Sequence, residues 1–261
     1  YLDFEPIDYS NNMKILFVIT TYNQSKYTKI CLNSLLNVHD IEFDILIIDD
    51  CSSDDTKLIC NDYNVNFIEK DAPKGLTHSW NLGYKHFKNK KYDILILSNN
   101  DIILPGHSLN EMIKISYLSP IICPLSTEKG VGNRKWQSIH KYYPFSKDFI
   151  NDPVNYQLIQ NEIHIMNKKR LNKLCPIRMK KFSGFFFVMS KDIIDYEYSK
   201  DILFNPDKIN VGNEDELNDR LLKTGAYSLL CKRSFVYHFK GVSFLGDLDN
   251  GRNDLSRYHS A

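Results

Sequence analysis

Three short apolar runs early in the chain each stop in a knot of hydroxyls, amides and carboxylates. Residues 14–20 (KILFVIT) end in Thr20-Thr21-Tyr22-Asn23, residues 43–48 (FDILII) in Asp49-Asp50, and residues 94–98 (ILILS) in Asn99-Asn100-Asp101. A buried carboxylate is costly unless a cation or hydrogen-bond donors compensate it. Two acidic clusters brought together therefore point to a bound cation or a donor-rich ligand. A nucleoside diphosphate with Mg2+ or Mn2+ offers both: base N–H and ribose hydroxyl donors, and a metal that neutralises the pyrophosphate. Tyr22 is placed to stack on a base ring, or else packs in the core with its hydroxyl satisfied. Taken alone, Asn99, Asn100 and Asp101 would also make a polar turn with an Asx cap.

The elements that must position these side chains follow from periodicity. Each run is short and apolar, as a strand buried on both faces requires. Helical patterns follow at about residues 25–38, 54–62 and 77–87. Ile30, Leu32, Leu35 and Leu36 give the first its apolar face, and Ser53 or Asp54 offers the second an N-cap. With a short strand at 65–69, strand–helix alternation runs from residue 14 to 101 and predicts right-handed crossovers in a mostly parallel sheet flanked by helices. Ligands of such a sheet collect beyond the carboxyl ends of its strands, so the three polar knots share one edge. Farther on, a helix at 109–117 and a strand at 121–124 precede an irregular or hairpin excursion over 125–180. A strand at 181–190, with Gly184 allowing close backbone approach, is followed by a helix at 213–223 with an acidic first turn. Strands at 227–230 and 235–238 come last.

Composition removes several alternatives. Thirty-three Lys+Arg against 32 Asp+Glu leave a formal charge of +1, so no global field draws nucleic acid or anionic lipid. The six cysteines contain no CxxC pair, which argues against a zinc site or a disulfide framework and fits reduced thiols in a cytosolic protein. No run reaches the roughly 18 apolar residues of a membrane span, and no signal peptide is visible. The chain opens with Tyr1, as expected of a piece of a larger chain.

Further stretches extend the pattern: Ile48-Asp49-Asp50-Cys51-Ser52-Ser53-Asp54-Asp55-Thr56, then Gly75-Leu76-Thr77-His78-Ser79-Trp80-Asn81-Leu82-Gly83, Phe182-Ser183-Gly184-Phe185, Glu214-Asp215 and His238-Phe239-Lys240-Gly241-Val242-Ser243. In this order, with Thr20-Thr21-Tyr22-Asn23 and Asn99-Asn100-Asp101, they resemble glycosyltransferase family 2, the inverting enzymes of GT-A fold. The resemblance spans roughly residues 14–244. It implies one α/β catalytic domain over 13–245, Rossmann-like with a mostly parallel central sheet and an irregular acceptor-side excursion. Residues 13–105 would form the nucleotide-binding half and 106–245 the acceptor-side half, with a leader or linker at 1–12 and a polar tail at 246–261. The implied activity is a metal-dependent, hexosyltransferase-like transfer from a UDP- or dTDP-sugar to a hydroxyl of a glycan or lipid-linked glycan. Bacterial surface polysaccharide synthesis, of capsule or lipopolysaccharide, is the expected setting, cytoplasmic or at the inner face of the membrane by peripheral association.

The resemblance also implies residue roles. Thr20, Tyr22, Asn23, Asp49 and Asp50, with Gly75, Asn81, Asn99 and Asn100, would hold the nucleotide-sugar, and Asp50 would accept from a uracil or thymine N–H. Asp101 would face a Mn2+ or Mg2+ ion as the sole charged residue of an otherwise amide-bearing metal motif, with His238 as second ligand. Asp215 would be the general base, with Glu214 as close rival. Gly184 would meet the acceptor; because residues 125–180 interrupt the regular alternation, Trp136, His140, Tyr142 and Tyr143 are expected there to stack on sugar faces, or else to serve as aromatic anchors of a turn. Lys168, Lys169 and Arg170 would contact a phosphate or acidic glycan, or simply form a solvated basic turn.

Two enzyme rivals fail on motif grounds. A dinucleotide oxidoreductase needs GxGxxG after the first strand, where Thr20-Thr21-Tyr22-Asn23 stands, and Gly130-Val131-Gly132-Asn133-Arg134-Lys135 lacks both the third glycine and a preceding strand at the start of a βαβ unit. A sugar nucleotidyltransferase needs a Gly-rich basic loop at that same place. The remaining rival is a catalytically silent nucleotide- or glycan-binding domain of a larger glycan-assembly protein.

Overall fold

The structure, a computed structural model, describes residues 13–132, 134–169 and 176–240. The expected leader at 1–12, the tail at 246–261, Arg170 and Gly241-Val242-Ser243 lie outside the described residues. In the first part, strands β1 (Ile15–Thr21), β2 (Asp44–Asp49), β3 (Asn66–Glu69) and β4 (Ile94–Asn99) alternate with helices α1 (Ser25–Leu35), α2 (Thr56–Asp62) and α3 (Leu76–Lys90). All four strands are parallel, with β1 at the centre between β2 and β4. Every residue of β1 is buried, and its side chains divide by alternation. Leu16 and Val18 face a core closed by Trp80, Tyr84 and Phe87 of α3, whereas Phe17 and Ile19 face Cys31, Leu32 and Leu35 of α1. The alternation expected from 14 to 101 is present.

Beyond β4 the chain forms β5 (Ile102–Ile103), α4 (Ser108–Ile113), β6 (Ile121–Leu125), α5 (Glu128–Val131), α6 (Lys147–Asn151) and α7 (Tyr156–Lys169). These are followed by β7 (Ile177–Met179), β8 (Phe186–Ser190), α8 (Asn213–Lys223), β9 (Ser228–Phe235) and β10 (Tyr237–His238). The main sheet has order β3-β2-β1-β4-β8-β6-β9-β7. Its direction reverses between β4 and β8, where Leu97 pairs antiparallel with Phe187. A second, two-stranded ribbon joins β5 to β10.

Three expectations for the second half need correction. The stretch expected to be a hairpin or irregular contains α7, which packs on β9 through Ile159 and Ile163 while the buried Gln160 bonds Arg233 O and Phe235 N–H. The strand expected at 181–190 begins only at Phe186, because other elements use the backbone before it: Trp136 Nε1 donates to Lys181 O at 2.8 Å and Ser183 N–H to Gln137 Oε1 at 2.7 Å. The strand expected at 227–230 runs on to Phe235, with a register shift at Pro124/Leu125, where proline lacks a ladder donor.

Candidate active site

The carboxyl ends of β1, β2 and β4 open into a cleft of about 570 Å3. Thr20, Tyr22, Asp50, Asn99, Asn100 and Asp101 line one side, and Gly184, Glu214, His238 and Lys240 arrive from far down the chain. The short ribbon brings His238 in. It pairs with Ile102, and Phe239 N–H donates to Asp101 O at 3.0 Å, so the loop after β4 and the end of β10 are tied backbone to backbone.

The His238 ring is held on two sides. It stacks on Phe185 with centroids 4.5 Å apart and planes within 9°. Its Nδ1 lies 2.7 Å from Gly130 O, and a carbonyl only accepts, so Nδ1 carries the proton. In the neutral ring Nε2 therefore presents its lone pair to Asp101 Oδ1, 3.2 Å away. Both side chains are buried, and Asp101 Oδ1 accepts no hydrogen bond from any described residue. Two lone-pair atoms this close in a buried site repel unless a proton or a cation lies between them. A carboxylate oxygen and an imidazole nitrogen, the latter oriented by a carbonyl behind it, form a donor set that fits a divalent cation. Among the described residues no group of three His, Cys, Asp or Glu forms around one point, so a cation held here keeps positions for ligand oxygens and water.

Asp50 occupies the opposite end of the cleft. Its Oδ1 accepts from Lys74 N–H at 2.6 Å and pairs with the buried Lys70, and its Oδ2 accepts from Gly75 N–H at 2.8 Å. Gly75 enters α3 at φ 84°, and a side chain there would meet Ile209 Cγ2 at 2.5 Å, so only glycine fits between Asp50 and the 209–211 loop. Oδ2 retains a lone-pair site.

At the start of α8, Glu214 lines the cleft beside Gly184, where an added Cβ would sit 3.2 Å from Glu214 Cδ. Burial raises the pKa of Glu214, and the charge of Asp215 adds to the effect against local hydrogen bonds that oppose it.

Residues 16–196 match the family model for glycosyl transferase family 2. The chain belongs to this family. Its fold is also that of several glycosyltransferases in solved structures. GalNAc-T7 with UDP, GalNAc and Mn2+ superposes with a TM-score of 0.62 at 16% identity, covering 87% of this chain and 44% of that one. The mannosyltransferase PcManGT from Pyrobaculum calidifontis, in complex with GDP-Man and Mn2+, gives 0.63 at 10% identity, covering 98% and 66%. S. aureus TarS 1–349 in complex with UDP gives 0.53 at 18%, covering 86% and 60%. At these identities the likeness is one of fold, and the chain spans 44 to 66% of the length of these proteins. No curated protein sequence matches it.

The family resemblance and the cleft do not select the same residues throughout. Asp49 is buried outside the cleft, accepting from Thr21 Oγ1 and Ser52 N–H at 2.7 Å each, and so braces the loop after β2. Asn23, at φ 55°, braces the same loop by accepting from Ser53 N–H at 2.8 Å. Asn81 lies on α3 away from the cleft, accepting from Leu203 and Phe204 N–H and donating to Phe204 O. Asp215 is turned away: both its oxygens accept from Arg134, at 2.6 and 2.7 Å, and Lys181 lies 3.4 Å off. Of the acceptor-side candidates among the described residues, only Gly184 lines the cleft. Trp136 anchors the 181–185 loop, and His140 Nε2 is buried without a described partner. Sequence reasoning missed Trp80, Lys74 and Lys240 as cleft residues; Lys240 stood inside a quoted motif, and nothing in its type told where its ammonium goes. Among the described residues no helix is long and apolar enough to cross a membrane.

Proposed function

We propose that this chain is an inverting glycosyltransferase that moves a sugar from a nucleotide-diphosphate donor, a UDP- or dTDP-sugar, to a hydroxyl of a glycan or lipid-linked glycan. The observation that carries this reading is the Asp101–His238 pair, 3.2 Å apart and buried, in the same cleft as Glu214. Asp101 and His238 hold a divalent cation, Mn2+ or Mg2+, which when bound supplies Lewis-acid stabilisation to the departing diphosphate. Two fold relatives were solved with Mn2+ and a nucleotide or nucleotide-sugar, which supports the same assignment. The remaining lone-pair site of Asp50 accepts a ring N–H of uracil or thymine, and Tyr22 borders the base. Glu214 takes the proton of the acceptor hydroxyl as it attacks the anomeric carbon from the face opposite the diphosphate. A raised pKa suits that role, since a base is stronger the more reluctantly its carboxylate ionises, and a positioned base contributes about 10²–10⁴-fold in rate. Glu214 is preferred to Asp215 because Arg134 and Lys181 already neutralise the latter.

Calorimetric titration of UDP, with and without Mn2+, tests the reading. The wild-type protein should bind UDP far more tightly with metal, Asp101→Asn and His238→Ala should lose that increment, and Glu214→Gln should keep it while losing transfer. Metal-independent UDP affinity in the wild-type protein would refute it.

A further inference from the structure

Lys240 follows the metal-site histidine by two positions and lines the same cleft, yet the role of its charge is unassigned. Its backbone adopts φ 54°, a conformation lysine seldom takes, immediately after the Phe239 N–H bond to Asp101 O. With this turn after β10, Lys240 enters the lining of the cleft. Its ammonium lies over Gly132, where a Cβ would collide with Nζ, so glycine at 132 leaves room for it. Three other cations near the cleft are spent on carboxylates: Lys70 on Asp50, and Arg134 and Lys181 on Asp215. Lys240 has no carboxylate partner among the described residues. Lys74, the other lysine of the lining, stands at the Asp50 end through its backbone N–H.

Charge balance gives Lys240 a use. A divalent cation against Asp101 leaves about one positive charge to meet the roughly two negative charges of a sugar-nucleotide diphosphate. In the transfer the acceptor oxygen bonds to the anomeric carbon and its proton passes to Glu214. The bond from that carbon to the β-phosphate oxygen breaks with its electron pair on the oxygen, so the leaving group gains a further negative charge. We propose that Lys240 is the cleft's second phosphate contact, pairing with the diphosphate beside the Asp101–His238 site and stabilising the charge that grows on it. This rests on the donor reading above.

Calorimetry separates the two. With Mn2+ present, Lys240→Ala should weaken UDP binding by roughly 10- to 100-fold, leave uridine binding unchanged, and keep the wild-type melting temperature; Lys240→Arg should recover most of the UDP affinity. Equal UDP affinity in wild type and Lys240→Ala overturns the assignment while leaving the donor reading intact. Equal losses for UDP and uridine overturn it too, by showing a disturbed cleft and not a lost phosphate contact. A wild-type protein that binds no UDP with Mn2+ overturns the donor reading, and Lys240 with it.

Discussion

Glu214 and Asp215 are neighbours in sequence and opposites in surroundings. Consecutive helical residues point about 100° apart, so one side chain meets the cleft and the other meets Arg134. The order of two acidic letters cannot tell which; Asp215 was the residue the family resemblance implied, with Glu214 as close rival. Three outcomes follow. Glu214→Gln should lower turnover by about 10²–10⁴-fold, whereas Asp215→Asn should cost less than about tenfold. The acid limb of the wild-type rate profile should lie above the ordinary glutamate value, because burial disfavours the ionised Glu214. Stability should follow the same sign. A raised folded-state pKa gives a contribution that is complete below the unfolded value and is lost as pH rises through the folded value. At pH 8 Glu214→Gln should therefore melt above the wild type, and the gap should close below about pH 4.

Among the elements, β1, β2 and β4 were legible because strands buried on both faces write themselves as apolar runs. Helix α7 was not. Two of its buried positions, Gln160 and Asn167, are polar and serve backbone or side-chain partners, so the apolar stripe is interrupted. Asn81, which the family resemblance would place on the nucleotide-sugar, has its amide bonded to backbone instead. On α3 it accepts from Leu203 N–H at 3.1 Å and Phe204 N–H at 2.9 Å and donates to Phe204 O at 2.9 Å, fastening the segment that leads to the 209–211 rim. Asn81→Ala should cost about 1–3 kcal/mol in denaturant unfolding and weaken UDP binding only through that rim. Gly184→Ala is a sharper test of the seam between α3 and α8. Its Cβ would meet Trp80 Cη2 at 2.9 Å and Glu214 Cδ at 3.2 Å, so transfer should fall while UDP affinity, read calorimetrically, stays near wild type.

Across the whole molecule, the cleft lies where the all-parallel half of the sheet gives way to the mixed half at β4 and β8, beyond which only β6 and β9 pair parallel. Sequence pattern predicted the parallel half and its polar edge, but strand direction after β4 depends on pairing partners distant in the chain, which periodicity does not encode. Thermal shift probes the site as a whole. UDP at 100 times its dissociation constant should add about 2.7 kcal/mol, a rise of several degrees, only when Mn2+ is present. Asp101→Asn should abolish that rise yet melt higher than the wild type without ligand, since an amide N–H can donate to His238 Nε2 where two lone pairs now oppose. The two-residue ribbon between β5 and β10 also orders events in time. On the proposed assignment, a nascent chain that has completed β1 to β4 and their helices should still lack a metal-dependent grip on a nucleotide, because His238 follows Asp101 far down the chain. UDP with Mn2+ should then report when β10 has zipped onto β5.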